Sequence, residues 1–184
     1  DLGVTVSDDS SVIFLTEDLF KLDIKGLVQP TDWYATGLYL TQYDKSNTVT
    51  LTTLDISGTL GLSGNDGRRG ILMYNSPSRT GNTVIGTLNN TGTIIGDTAM
   101  SLYSRSIITT INNSGSITGG SGTGIIHIGN STQADNGYFG TINNSGTIQA
   151  TEAAIHLYNH VYITNLINTG TISTSGVGSD IDLS

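Results

Sequence analysis

INNSGTI, residues 142–148, is one of five copies of a degenerate motif; the others read LDISGTL (54–60), LNNTGTI (88–94), INNSGSI (111–117) and LINTGTI (166–172). Each copy has an aliphatic residue four positions before a glycine and another two positions after it. The glycines are Gly58, Gly92, Gly115, Gly146 and Gly170, so successive copies lie 34, 23, 31 and 24 residues apart. A unit this short cannot enclose a core by itself. Its recurrence implies units stacked into a solenoid.

Two further apolar segments accompany each motif. One lies eight and seven residues before the glycine: Thr50-Leu51, Val84-Ile85, Ile107-Ile108, Tyr138-Phe139 and Tyr162-Ile163. The other alternates: Leu38-Tyr39-Leu40, Ile71-Leu72-Met73, Met100-Ser101-Leu102, Ile126-His127-Ile128, Ile155-His156-Leu157 and Ile181-Asp182-Leu183. Alternation puts the outer side chains of each triplet on one face and the middle one on the other. The segments are short, β-branched and bounded by Gly, Asn and Ser, so they read as strands. Only residues 15–25 carry a weak helical pattern.

Three short strands per repeat, stacked in parallel, predict an all-β fold: a right-handed parallel β-helix of five to six coils. The hand follows from the general chirality of parallel crossovers. Residues 1–36 lack the five-copy motif and are expected to form an N-terminal cap, which solenoids need to close an open edge. Residues 37–184 are expected to form the coils as one domain that continues beyond the segment. Asn90, Asn113, Asn144 and Asn168 all sit two positions before the key glycine. In register they would stack as an amide ladder, a structural role shared with the turn glycines. Insertions at 61–70, 75–82 and 130–137 account for the longer spacings and are expected to be surface loops.

Composition narrows the function. The 184 residues carry a net charge of −8 with only seven Lys and Arg. Nucleic acid and anionic membrane surfaces are poor partners for such a chain, because both require a basic face. No apolar run approaches the length of a membrane-spanning helix, so no membrane insertion by this segment is expected. There are no cysteines, which removes disulfides, thiol chemistry and Cys-based metal sites. Hydrophobic residues still make up 36% and recur periodically, which argues against disorder.

Motifs for catalysis are missing. There is no GxSxG elbow, HExxH helix, phosphate loop or dinucleotide fingerprint. The acidic residues are scattered, and the repeat alignment brings no two into one column of consecutive coils, as a glycoside-cleaving pair would need. No catalytic residue, cofactor or metal is therefore expected. His127 and His156 fall at the same place in the third segment, outward on consecutive coils, but no third ligand accompanies them. Tyr74, Tyr103 and Tyr158 each follow the inward residue that closes a third segment. They are expected to form a discontinuous outward row beside Leu72, Ser101 and His156. Such a row suits sugar stacking or protein contact, or ordinary packing between coils. Arg68 and Arg69, the one adjacent basic pair, fall in an inserted loop and are expected at a solvated tip, with contact to an acidic region of an identical molecule as the sharper alternative.

Repeats such as INNSGTI (142–148), followed by AIHLYN (154–159) or GILMYN (70–75), resemble the passenger domains of bacterial autotransporters of type V secretion. The likeness spans residues 36–184 and lies in repeat style, not in a catalytic signature. It implies a β-helix exported through the periplasm to the bacterial surface or outside the cell, between a signal peptide and a membrane barrel. It implies an adhesin role in binding host matrix, surface protein or glycan. Self-association with identical passengers, leading to cell aggregation and biofilm, is the first alternative. A polysaccharide-active enzyme or an inert stalk are the others.

Overall fold

The structure, a computed structural model, describes residues 13–30, 36–42, 46–62, 67–76, 80–129 and 137–183, apart from the side chain of His127. Every element among the described residues is a strand, and every strand pairing is parallel. The strands form three sheets, and the chain visits the sheets in turn, once per coil. The protein is a parallel β-helix.

The first sheet holds β2 (Leu19–Ile24), β5 (Val49–Ile56), β8 (Thr83–Asn90), β11 (Ser106–Asn113), β14 (Tyr138–Asn144) and β17 (Tyr162–Asn168). The second holds β3 (Leu27–Val28), β6 (Thr59–Gly61), β9 (Thr93–Gly96), β12 (Ser116–Gly119), β15 (Thr147–Ala150) and β18 (Thr171–Thr174). The third holds β1 (Ile13–Leu15), β4 (Thr36–Thr41), β7 (Arg69–Tyr74), β10 (Thr98–Tyr103), β13 (Ile125–Ile128), β16 (Ile155–Tyr158) and β19 (Ile181–Leu183). Each repeat motif straddles the corner between the first and second sheets. Six coils rise roughly 24 Å at the spacing of paired strands.

Inward columns supply the core. Leu54, Leu88, Ile111 and Ile142 stack directly above one another and are fully buried. Leu60, Ile94, Ile117 and Ile148 do the same in the second sheet, and Leu51, Ile85, Ile108 and Phe139 at the start of the first. Burial of continuous aliphatic columns is the main stabilising term in a chain with few charges and no crosslinks.

The glycine column has a steric cause. None of its members has a positive φ. Instead each amide plane packs on the coil before it. A Cβ on Gly92 would meet the carbonyl oxygen of Gly58 at 2.1 Å, and one on Gly115 would meet that of Gly92 at the same distance. The same contact recurs at Gly146 and Gly170, while Gly58 meets Gly26. The carbonyls of Gly58 and Gly92 then accept from Thr93 N and Ser116 N, both at 2.9 Å.

Three sequence expectations change. Coil structure begins earlier than residue 37: β2, β3 and β4 complete a coil, and LDIKGLV (22–28) is a further copy of the motif, with Gly26 at its key position. Residues 1–12 of the expected cap lie outside the described residues. Second, the weak helical pattern at 15–25 is β-strand over Leu19–Ile24, because its apolar positions pair with β5. Third, the third segment of the fourth coil is offset by one residue: Ile126 pairs with His156, and His127 pairs with Leu157. Ile125, Ile126 and Ile128 satisfy alternation in either frame. The tight corner decides, since Gly124 takes the place of Ala154 and a Cβ there would meet the Ala154 carbonyl at 2.6 Å. Of the expected insertions, residues 63–66, 77–79 and 130–136 lie outside the described residues. Gly61, at the start of the first, has φ +104°, a conformation that favours glycine.

Candidate binding faces

Two outward faces repeat from coil to coil. One is an aromatic edge at the corner where the third sheet hands over to the first. Tyr74 and Tyr103 lie side by side on consecutive coils, their ring centres 5.8 Å apart and planes tilted by 59°. Ile128 follows in the same column and Tyr158 after it, so the row is discontinuous. Across the corner, Tyr138 and Tyr162 lie face to face, 5.5 Å apart with planes 8° from parallel. Tyr74 is 39% exposed and Tyr162 52% exposed. Between the two columns the chain turns sharply. Ser104, Asn159 and His160 take φ of 52°, 56° and 63° without glycine, a conformation that few residue types adopt readily.

The neighbours of this edge differ from expectation. His156 does face outward, packs on Tyr158 with ring centres 3.8 Å apart, and lies 3.3 Å from the Asp182 carboxylate. In register His127 is the Cα partner of Leu102 and Leu157, and Ile126 is the partner of His156, so the two histidines are not paired positions. Ser101 keeps the outward register of Leu72 but is buried there, because Arg69 lies over it and donates from Nε to its hydroxyl at 3.0 Å. Arg69 opens β7, and both it and Arg68 are half-buried, so the expected solvated tip is instead part of the wall.

The second face is made of amides. The inner ladder forms as expected: Asn90 donates to Asn113, Asn113 to Asn144 and Asn144 to Asn168, each at 2.7 Å. Beside it runs an outer ladder that the repeat alignment did not single out. Asn143 donates to Asn112, Asn112 to Asn89 and Asn89 to Asp55, each at 2.8 Å. The doublets Asn89-Asn90, Asn112-Asn113 and Asn143-Asn144 carried that signal, since an inward asparagine on a strand forces its neighbour outward. The outer amides and the hydroxyls of Thr91, Ser114 and Ser145 line an open groove of about 490 Å³, with Ile167 and Thr169 toward the last coil.

The outer ladder ends on charge. Asp23 and Asp55 pair in register on consecutive coils, which corrects the expectation that no two acidic residues share a column. Lys21 Nζ bridges them at 3.1 Å each. The hydrogen bond from Asn89, then the Lys21 ammonium, holds the Asp55 carboxyl below its ordinary range. Hydrogen bonds to Asp55 and then Asp23 raise Lys21. Asp23, Lys21 and Asp55 thus form an ion-paired cluster at the head of the outer ladder.

No family model, curated protein or solved structure matches the chain. No group of three His, Asp or Glu side chains converges as a metal site among the described residues. No helix there is long and apolar enough to cross a membrane.

Proposed function

We propose that this chain is an adhesin segment of a bacterial autotransporter passenger, exported through the periplasm and displayed at the cell surface. It acts by binding and not by turnover. The observation that supports this reading is the repetition of aromatic pairs, exposed Tyr74 with half-buried Tyr103 and half-buried Tyr138 with exposed Tyr162, along one edge of a rigid rod. Aromatic rings with one wet side supply contact area at little entropic cost, for the apolar face of a sugar or for a protein surface. Weak contacts repeated along the rod, and again over many rods on one cell, multiply into firm attachment. The partner class is a host surface or matrix protein or glycan.

Binding of the purified chain to arrayed glycans and matrix proteins tests the proposal. The double variant Tyr74→Ser, Tyr162→Ser should weaken binding about tenfold or more, as loss of central aromatic anchors does, with the β-sheet circular dichroism unchanged. Binding that survives both substitutions would overturn the role given to this edge.

A second reading, self-association, is supported by the outer amide ladder, whose donors and acceptors recur at one spacing and are complementary to an identical ladder. Sedimentation velocity over a range of concentration separates the two: growth in mass favours identical copies as partners, and a constant monomer favours a foreign ligand.

A further inference from the structure

The two ladders use the same residue type at adjacent positions, yet spend their amide protons differently. In the inner ladder, Nδ2 of Asn90, Asn113 and Asn144 gives both. Asn113 donates to Asn144 Oδ1 at 2.7 Å and to the Thr147 carbonyl at 3.1 Å. Asn90 and Asn144 follow the same pattern onto Ser116 and Thr171 carbonyls. Each outer Nδ2 gives one hydrogen bond, along its ladder, and keeps a second N–H on the groove side.

The sequence distinguishes them as well. Asn89-Asn90-Thr91, Asn112-Asn113-Ser114 and Asn143-Asn144-Ser145 each match Asn-x-Ser/Thr, the acceptor pattern for N-linked sugar. The inner asparagines cannot match it, because their second residue onward is the sterically required glycine: Gly92, Gly115 or Gly146. The motif Asn-Asn-Ser/Thr-Gly therefore marks the outward asparagine and spares the buried one. The outer asparagine and its hydroxyl partner both line the open groove. The acidic second coil and the last coil, with Asp55 and Ile167 at the outer position, carry no acceptor.

We propose that Asn89, Asn112 and Asn143 are N-glycosylation sites, modified by a glycosyltransferase that uses a sugar activated as a diphosphate ester. Nδ2 attacks the anomeric carbon and a C–N bond forms. The bond from that carbon to the phosphate oxygen breaks, and the diphosphate leaves with the electron pair. The amide gives up one proton to the transferase's base. The glycosylated nitrogen retains one N–H, which is the number the outer ladder uses. The folded coils can thus hold the sugars without losing a ladder hydrogen bond. The sugars would line the groove on three consecutive coils and cover its floor.

The test is intact-mass and peptide-fragment mass spectrometry of the chain purified from the cells that naturally make it. The expected result is sugar on the side chains of Asn89, Asn112 and Asn143, with Asn90, Asn113 and Asn144 unmodified. A single monosaccharide at each site identifies a nucleotide-activated donor, and one preassembled oligosaccharide identifies a lipid-linked donor. Ser114→Ala should abolish modification at Asn112 alone, and Ser114→Thr should retain it. Ser114 is exposed, and its backbone hydrogen bond to Asn90 does not need the hydroxyl, so both variants keep the fold. Full peptide coverage with all three sites bare, or sugar found on hydroxyls instead of amides, would overturn the proposal.

Discussion

Asn113 and Asn112 are neighbours in the chain, belong to the same strand and each join a ladder of amides, yet they live in different solvents. Asn113 is buried between aliphatic columns, with both amide protons engaged. Asn112 is exposed, with one engaged. A buried amide without partners costs far more than an exposed one, because water replaces the lost hydrogen bond only outside. The inner ladder therefore closes the corner between the first and second sheets. The outer ladder adds little to stability and leaves polar groups available to solvent and ligands.

The largest effect should come from the column that both ladders depend on. Gly115→Ala forces a methyl group onto a backbone carbonyl, which cannot rotate away as a side chain can. It should destabilise by about 3–5 kcal/mol, the range of backbone strain and overpacking combined. Urea unfolding would register this as a lower midpoint. A shift of less than 1 kcal/mol (about the spread of a neutral surface change) would mean that the coils are not packed this closely.

Next in size is the ladder pair itself. Asn113→Ala leaves one donor on Asn90 and an acceptor on Asn144 buried without their partner, and should cost about 2–4 kcal/mol. Asn112→Ala should cost about 1 kcal/mol or less. The ordering matters more than either value, and reversal would show that the strand faces the other way.

The smallest effect is electrostatic. The carboxyl of Asp55 is held below its ordinary value of 3.8, so the unfolded chain binds this proton more readily than the folded one. Its contribution is present above that value and is lost as pH falls through the lower folded value. Thermal unfolding between pH 5 and about pH 2 should show this loss in the native chain. Asp55→Asn, which keeps an acceptor for Asn89, should flatten that part of the curve. A curve unchanged by the substitution would remove Asp55 as the anchor.

Much of this organisation was legible in the sequence, and the reasons for the rest are local. The repeat glycines and aliphatic positions gave coil register because only one alignment stacks every Leu54-type residue on its equivalent. Alternation turned Asn113 inward and, by the same rule, placed Asn112 outward. His127 was misplaced because three isoleucines fit either frame, and the frame is chosen by Gly124 at a corner that hydrophobic pattern does not describe. The first coil was hidden because its glycine is preceded by Lys25 and followed by Leu27, not by the polar pairs of later copies. Lys21, Asp23 and Asp55 converge only after that coil is recognised. Arg69 has the sequence surroundings of a loop residue, since a serine at the outward position of Ser101 gives no sign of being covered.

The register of the coils is tested most directly by crosslinking, and a chain without cysteine is suited to it. Thr110 and Thr141 are Cα partners on neighbouring coils of the first sheet. Paired strands bring such partners to about 4.8 Å, within disulfide reach, whereas Thr110 and Asn143 are about 8 Å apart. Thr110→Cys with Thr141→Cys should oxidise to an intramolecular disulfide in the folded chain, and Thr110→Cys with Asn143→Cys should remain reduced under the same conditions. The opposite pattern, or equal oxidation of both pairs, would contradict the stacked-coil register on which both faces of the molecule depend.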